Sequence, residues 1–524
     1  MTRTRPFPPS RAISRRSLMT AVSAAGAGIL LTSSGNATTA RSGRAFRQEE
    51  LLEEVVIDLS GTPESIDPAL AYSPRDWSVV HSIYDALITF DVNGQLVPLA
   101  AETFTSFDDR TFEVVLRSGL RFHDGSPVDS ASISRSVGYL QGSDSFAVDL
   151  FRTITGVDEI DARTARIVCS EPSPWLPAQM AVWLLLVPDG FTAEQAATAP
   201  VGSGPFEFVS YSPGDRVVLK RNEAYTWESP KGQPIAQTAT FRFVPESSTR
   251  IADLSSGAAQ IVTQLPPDQL AVVEASGQIA IDAPIVGSAW IRIATDVEPF
   301  NDARVRRALN HAIDVSAIAA SLVSGDTRRL AMLYPDERAL GFNPELQPYE
   351  YDPELARSLL GEAGIDDGLS VGLEITSTSR ADIAEAIAAQ LGEVGLEVDI
   401  ITADDATFNA GWGDPARPPL RMSTWVPLYD PHTLLSLVFA SEGFLSRYEN
   451  PEVDALIKRG ASQADPSERN AIYQELGRIM HDDAPAIFLW NLTSAYGVAP
   501  SVSAWQPRGD EYVIPTVTSE KAGH

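Results

Sequence analysis

A chain of 524 residues is longer than one hydrophobic core normally fills, so two or three domains are expected. Apolar residues make up 44% and charged residues 21%, which excludes a disordered or collagen-like chain. The net charge is -29, and Lys occurs only at positions 220, 231, 458 and 521. No basic stripe for a nucleic acid exists, and the anionic surface favours a soluble monomer.

In chain order, residues 1–40 come first, with Arg3, Arg5, Arg11, Arg15 and Arg16, no acid, a weakly apolar run from Ala21 to Leu31, and small residues up to Ala40. This is the pattern of an export signal, and its apolar run is too short to span a bilayer. "SRRSLM", Ser14 to Met19, looks like a twin-arginine signal, with an ordinary secretory signal as the alternative. The lone cysteine, Cys169, rules out an intrachain disulfide and a lipid anchor at the end of the signal, and reads as a buried small hydrophobe. The mature protein is therefore expected to be exported, periplasmic or at the cell surface, with no transmembrane span.

Val55 to Leu59 is an apolar run leading into a proline-bearing loop, "GTPESIDPAL". A helix follows with Val79, Val80, Ile83 and Leu87 on one face, and its His81 reads as packed and hydrogen-bonded. In "FEVVLRSGLRFHDGSPV", Phe112, Val114 and Leu116 alternate as a strand, with Leu120 and Phe122 resuming the pattern. His123 and Asp124 read as part of a turn rather than a catalytic dyad, because no nucleophile or third group is nearby. In "VGSGPFEFVSY" the alternation of Phe206 and Phe208 after Pro205 indicates a strand, not a phosphate loop.

Val305, Ala308, Leu309, Ala312 and Ile313 predict a helix capped by Asn301 or Asp302, with Arg304, Arg306 and Arg307 on solvated flanks. Asp352-Pro353 opens a second helix that stops at Gly364. From Leu369 to Ile401 the pattern is strand, helix, strand, most simply a βαβ unit with parallel strands. Helices are predicted from Pro451 to about Ala464 and from Ser467 to about Asp482, and "AIFLW", Ala486 to Trp490, reads as a buried strand.

Motifs for covalent chemistry are missing. The sequence holds no GxSxG, no HExxH, no serine three before a lysine and no GxxxxGK[ST], and the histidines at 81, 123, 311, 432, 481 and 524 lack metal-ligand spacing. A non-enzyme without cofactor is expected, with an exported hydrolase using scattered carboxylates as the remote alternative.

Seven blocks, in order, carry a resemblance: "GTPESIDPAL", "IYDALITFDVNGQLVPLAAETF", "FEVVLRSGLRFHDGSPV", "VGSGPFEFVSY", "PFNDARVRRALNHAID", "YDPELARSLLGEAG" and "YENPEVDALIKR". Together, over roughly residues 55 to 490, they resemble the family 5 solute-binding proteins of ABC importers, which take up oligopeptides, dipeptides, nickel chelates and some oligosaccharides. The resemblance implies an α/β, two-lobed periplasmic-binding-protein fold of type II with an extra inserted domain and hinge-connected lobes. Domain I would comprise 51–85, 190–287 and 487–524, inserted domain II 86–189, and domain III 288–486. It also implies capture of a small-molecule ligand by lobe closure and delivery to a membrane permease and ATPase complex.

Peptide-binding relatives carry an aspartate three residues after a tryptophan, where it pairs with the ligand's ammonium. In "STWVPLYDPHTLL" the third residue after Trp425 is Leu428, and the nearest acid is Asp430. An oligopeptide is expected first and an oligosaccharide second. The candidate ligand-binding residues are Trp290, Trp412, Arg421, Trp425, Tyr429, Asp430 and Trp490, with core packing the alternative for the tryptophans and a surface ion pair for Arg421.

Overall fold

The computed structural model describes residues 51–518 except 146, 324–326, 366 and 378. The export-signal expectations fall on residues 1–40, outside the described residues. Among the described residues, no helix is long and apolar enough to cross a membrane.

A mixed ten-stranded sheet organises the described chain. One end holds the predicted βαβ unit: Leu369–Thr376 and Leu396–Ala403 pair in parallel, with helix Ala381–Glu393 between them. Its stripe of Ile383, Ile387 and Leu391 is buried, which is why the helical period is so visible in the sequence. The other end pairs Leu52–Leu59 in parallel with Ala236–Phe243, flanked by the hairpin Phe206–Ser212 and Arg216–Arg221.

Two long antiparallel strands, Ile279–Ile293 and Ala486–Val498, occupy the middle of this sheet. They pair from Ile279 to Pro284, break register, and resume at Ser288. The second strand continues far beyond the predicted Trp490, because "NLTSAYGV" is held by ladder bonds and burial rather than by alternation. Gly287 lies at the irregularity, and a Cβ there would come within 2.8 Å of the Trp425 carbonyl oxygen. Only glycine lets the two backbones approach so closely.

A separate four-stranded antiparallel sheet, spanning Ala101–Asp108, Thr111–Leu116, Ile154–Glu159 and Thr164–Cys169, contains the predicted strand at Phe112. Leu120 and Phe122 do not continue it. Gly119 takes a positive φ and the chain turns, leaving one isolated bridge between Arg121 and Pro127. His123 and Asp124 form a turn: His123 Nε2 donates to the Gly204 carbonyl at 3.1 Å, its Nδ1 accepts from Gly202 N–H at 3.3 Å, and Asp124 accepts from Ser126. Gly202 and Gly204 are required by a close approach to the Ile83 carbonyl, not by a phosphate.

Helix Pro74–Ile83 starts with a capping box between Ser73 and Asp76 and ends before Leu87, because Tyr84 turns extended. His81 is buried, donates from Nε2 to the Val182 carbonyl at 3.2 Å, and stacks on Tyr512. Helix Ala303–His311 is capped by Asp302, which also pairs with Arg304. Arg306 departs from the expected solvated flank: it is buried and ion-pairs with Asp483. Helix Pro353–Glu362 opens at the predicted Asp352-Pro353, and helices Pro451–Ser462 and Pro466–Asp483 lie within two residues of their predicted bounds. Cys169 is buried and free.

Candidate functional site

A cavity of about 500 Å³ lies between two sets of elements. Helix Pro74–Ile83 and helix Leu176–Trp183 build the first wall, and the His81 contact to Val182 ties them together. They contribute Trp77, Gln179 and Trp183, with Trp77 and Trp183 edge to face at 5.8 Å, while Tyr72 and Phe90 come from flanking segments. The second wall runs from strand Leu420–Trp425 through the cis peptide Val426–Pro427 to the short helix His432–Leu434. It contributes Thr424, Trp425, Tyr429, Asp430 and Thr433, joined by Asn409, Trp412 and Phe444.

Eight of the nineteen lining residues are aromatic. That makes a surface suited to flat or apolar ligand faces, with a few neutral polar groups for orientation. The walls meet where Phe90 stacks on Tyr429 and where Trp175 meets His432 at 4.6 Å.

Four of the seven predicted site residues, Trp412, Trp425, Tyr429 and Asp430, line this cavity. Asp430 is not a free anion. Arg469 grips it with two donors at 2.5 and 2.9 Å, and the His432 backbone N–H donates to it at 3.0 Å. Burial opposes the Arg469 charge, yet the Asp430 carboxylate holds its pKa above the ordinary guanidinium value. His432 is kept neutral by burial, its pKa lowered to about 4.

Three predicted residues do not line the cavity. Trp290 is completely buried on strand Ile279–Ile293, with its ring 6.0 Å from Trp412 and 5.4 Å from Phe439, so it backs the wall instead of facing the space. Arg421 neither faces a ligand carboxylate nor forms a surface pair. It is fully buried 2.6 Å from Glu374, which Arg417 also meets, and it lies under Phe408 and Trp412. The Arg421–Glu374 approach is a charge contact without aligned hydrogen-bond geometry. Trp490 packs into the second core with Leu489 and Ile291. Leu428 is also fully buried and does not reach the cavity.

The sequence reading missed Tyr72, Trp77, Phe90, Trp183 and Phe444. Helix Leu176–Trp183 is apolar except for Gln179, so little in its pattern separates a cavity-facing tryptophan from a core one.

Among the described residues, no group of three potential metal ligands is present. A larger hollow of about 670 Å³ holds Arg306 paired with Asp483 and Arg447 paired with Asp296, with Glu449 also on its lining.

Residues 95–445 match the family described as bacterial extracellular solute-binding proteins, family 5, middle. The glutathione-binding protein GsiB of Pectobacterium atrosepticum is 27% identical, over 83% of this chain and 88% of that protein. DppA of Helicobacter pylori, solved with the peptide STSA, superposes with a TM-score of 0.78 at 22% identity, covering 90% of this chain and 99% of that one. NikA of Brucella suis, solved with Fe(III)-EDTA, superposes with a TM-score of 0.79 at 22% identity, covering 88% and 98%. These neighbours share the two-lobed α/β fold of type II. The chain belongs to family 5 of the bacterial extracellular solute-binding proteins, the non-enzymatic substrate-binding components of ABC importers.

Proposed function

We propose that this protein captures a small peptide or similar solute by closing the two aromatic walls over it, and delivers it to a membrane permease driven by a separate ATPase. The observation that carries this reading is the wall-to-wall cavity, with Trp77 and Trp183 on one side and Trp412 and Trp425 on the other. A ligand touching both sides favours the closed arrangement by its differential affinity for it. The register break between Pro284 and Ser288 supplies a bending point in the long strand, at the expected domain limit near 287 and opposite Asn491 to Thr493 of the second strand. Relatives named for glutathione binding, and DppA holding a peptide, support a peptide-like ligand. In this reading the protein works outside the cytoplasm as a monomer, exported by the twin-arginine signal at Ser14 to Met19.

The test is thermal unfolding of the mature protein with a panel of peptides, paired with small-angle scattering. A bound member raises the melting temperature with concentration and reduces the radius of gyration. Binding without compaction would remove lobe closure, and steady turnover of a panel member would remove the transport reading.

A further inference from the structure

We propose that the solute held in this cavity presents no ammonium group to it, and is recognised through flat apolar faces and neutral hydrogen-bonding atoms. The inference rests on the capture reading above and narrows its ligand class.

Asp430 is the one charged residue among the nineteen that line the space. Its two oxygens already accept from both terminal nitrogens of Arg469 and from the His432 backbone. Arg469 is itself buried, so an ammonium that drew Asp430 away would leave a guanidinium in the interior without its anion. Leu428, where a sequence alignment would look for an acid, has no exposure at all.

The surroundings are cationic as well. Arg292 and Arg421 are cross-strand neighbours behind Trp412, their guanidinium carbons 5.6 and 5.2 Å from its ring. Arg292 donates to the Trp412 carbonyl, and its Nε and Nη2 have no hydrogen-bond partner. A cation entering here would shed water and gain no free counter-charge, and the charges behind Trp412 are those of Arg292 and of Arg421, the latter offset by Glu374.

What the lining does leave unpaired is neutral. Trp77 Nε1, on the first wall, and Thr433 Oγ1, on the second, are buried without a partner. Those two atoms are shielded from the space itself, while Gln179, Asn409 and Thr424 also line it and offer neutral donors and acceptors to a carbonyl, ether or hydroxyl on the solute. The rings of Tyr72, Trp412, Trp425 and Phe444 supply the apolar contact.

The experiment is isothermal titration of the mature protein with ligand pairs that differ only in an amine: N-acetylated against free-amine dipeptide and tripeptide amides with aromatic side chains, and aryl glucosides against aryl glucosaminides. At least tenfold tighter binding of the amine-free partner is expected. Equal or tighter binding of the amine-bearing partner overturns this inference and leaves solute capture intact. Failure of every pair to bind overturns this inference and capture of these solute classes together.

Discussion

Phe90 stacks on Tyr429 with ring centroids 3.9 Å apart and planes 20° from parallel, so the first wall of the cavity touches the second through an aromatic pair. Both side chains are at least nine-tenths buried, and Gly94 lies so close that a Cβ there would sit 2.8 Å from the Tyr429 ring. Phe90→Ala is expected to destabilise the protein by about 3 kcal/mol through lost burial. A double-mutant cycle with Tyr429→Ala, followed by urea unfolding, should return a coupling of about 1 kcal/mol. Strict additivity would show that the walls do not support each other at this point.

The Asp430–Arg469 pair is expected to behave as a buried ion pair. Arg469→Met leaves the carboxylate without its partner and should cost about 3–5 kcal/mol, whereas Asp430→Asn combined with Arg469→Met should recover part of that loss. Urea denaturation of the two single variants and the double variant measures this. A single-variant cost below about 1 kcal/mol would place the pair among exposed salt bridges.

Trp425 is only partly buried, and it stands at the end of strand Leu420–Trp425 where that strand opens onto the cavity. Trp425→Ala is expected to weaken solute binding by about 2 kcal/mol, roughly thirtyfold, while changing stability by less than about 1 kcal/mol. Titration calorimetry and thermal unfolding read the two effects separately. Unchanged affinity would exclude Trp425 from the binding surface.

His432 links stability to pH. Its folded pKa, lowered to about 4 by burial, lies below the ordinary 6.5, so on acidification the unfolded chain takes up this proton first. The associated stability is complete above pH 6.5 and is lost as the pH falls towards 4, amounting to about 3 kcal/mol. Asp67 and Asp76, whose pKa values burial raises, act in the opposite sense. The difference between wild type and His432→Phe is therefore the readout. In urea denaturation at pH 7 and pH 4, the wild type should lose about 3 kcal/mol more than the variant. Parallel behaviour would mean that His432 does not titrate with folding.

Legibility in the sequence followed how local each signal was. The βαβ unit at 369–403 was readable because alternation and the 3.6-residue stripe both reflect one buried face, and Asp352, Asp302 and Asp465 announce helices through their own caps. Strand Ile279–Ile293 was not readable: its second half is buried on both faces, so it does not alternate, and Pro284 and Gly287 interrupt it. The site divided in the same way. Trp412, Trp425 and Tyr429 stand in irregular or strand-end positions that attract attention, whereas Trp77 and Trp183 look like core residues and are placed at the cavity only by long-range packing. Arg421 and Arg306 were misjudged because nothing near them in sequence reveals the distant Glu374 and Asp483 that let a guanidinium be buried.

The last described residues reach back to the first wall. Arg508 donates to the Phe90 carbonyl at 2.8 Å, Tyr512 packs on Trp77 at 5.2 Å, Val513 N–H donates to Ser78, and Thr516–Val517 pairs with Gln233–Pro234. During synthesis, helix Pro74–Ile83 therefore waits for more than four hundred further residues before these supports arrive. The first wall is completed only once residues 508–517 have been made, and nascent chains halted before Trp505 should emerge with an unfinished mouth.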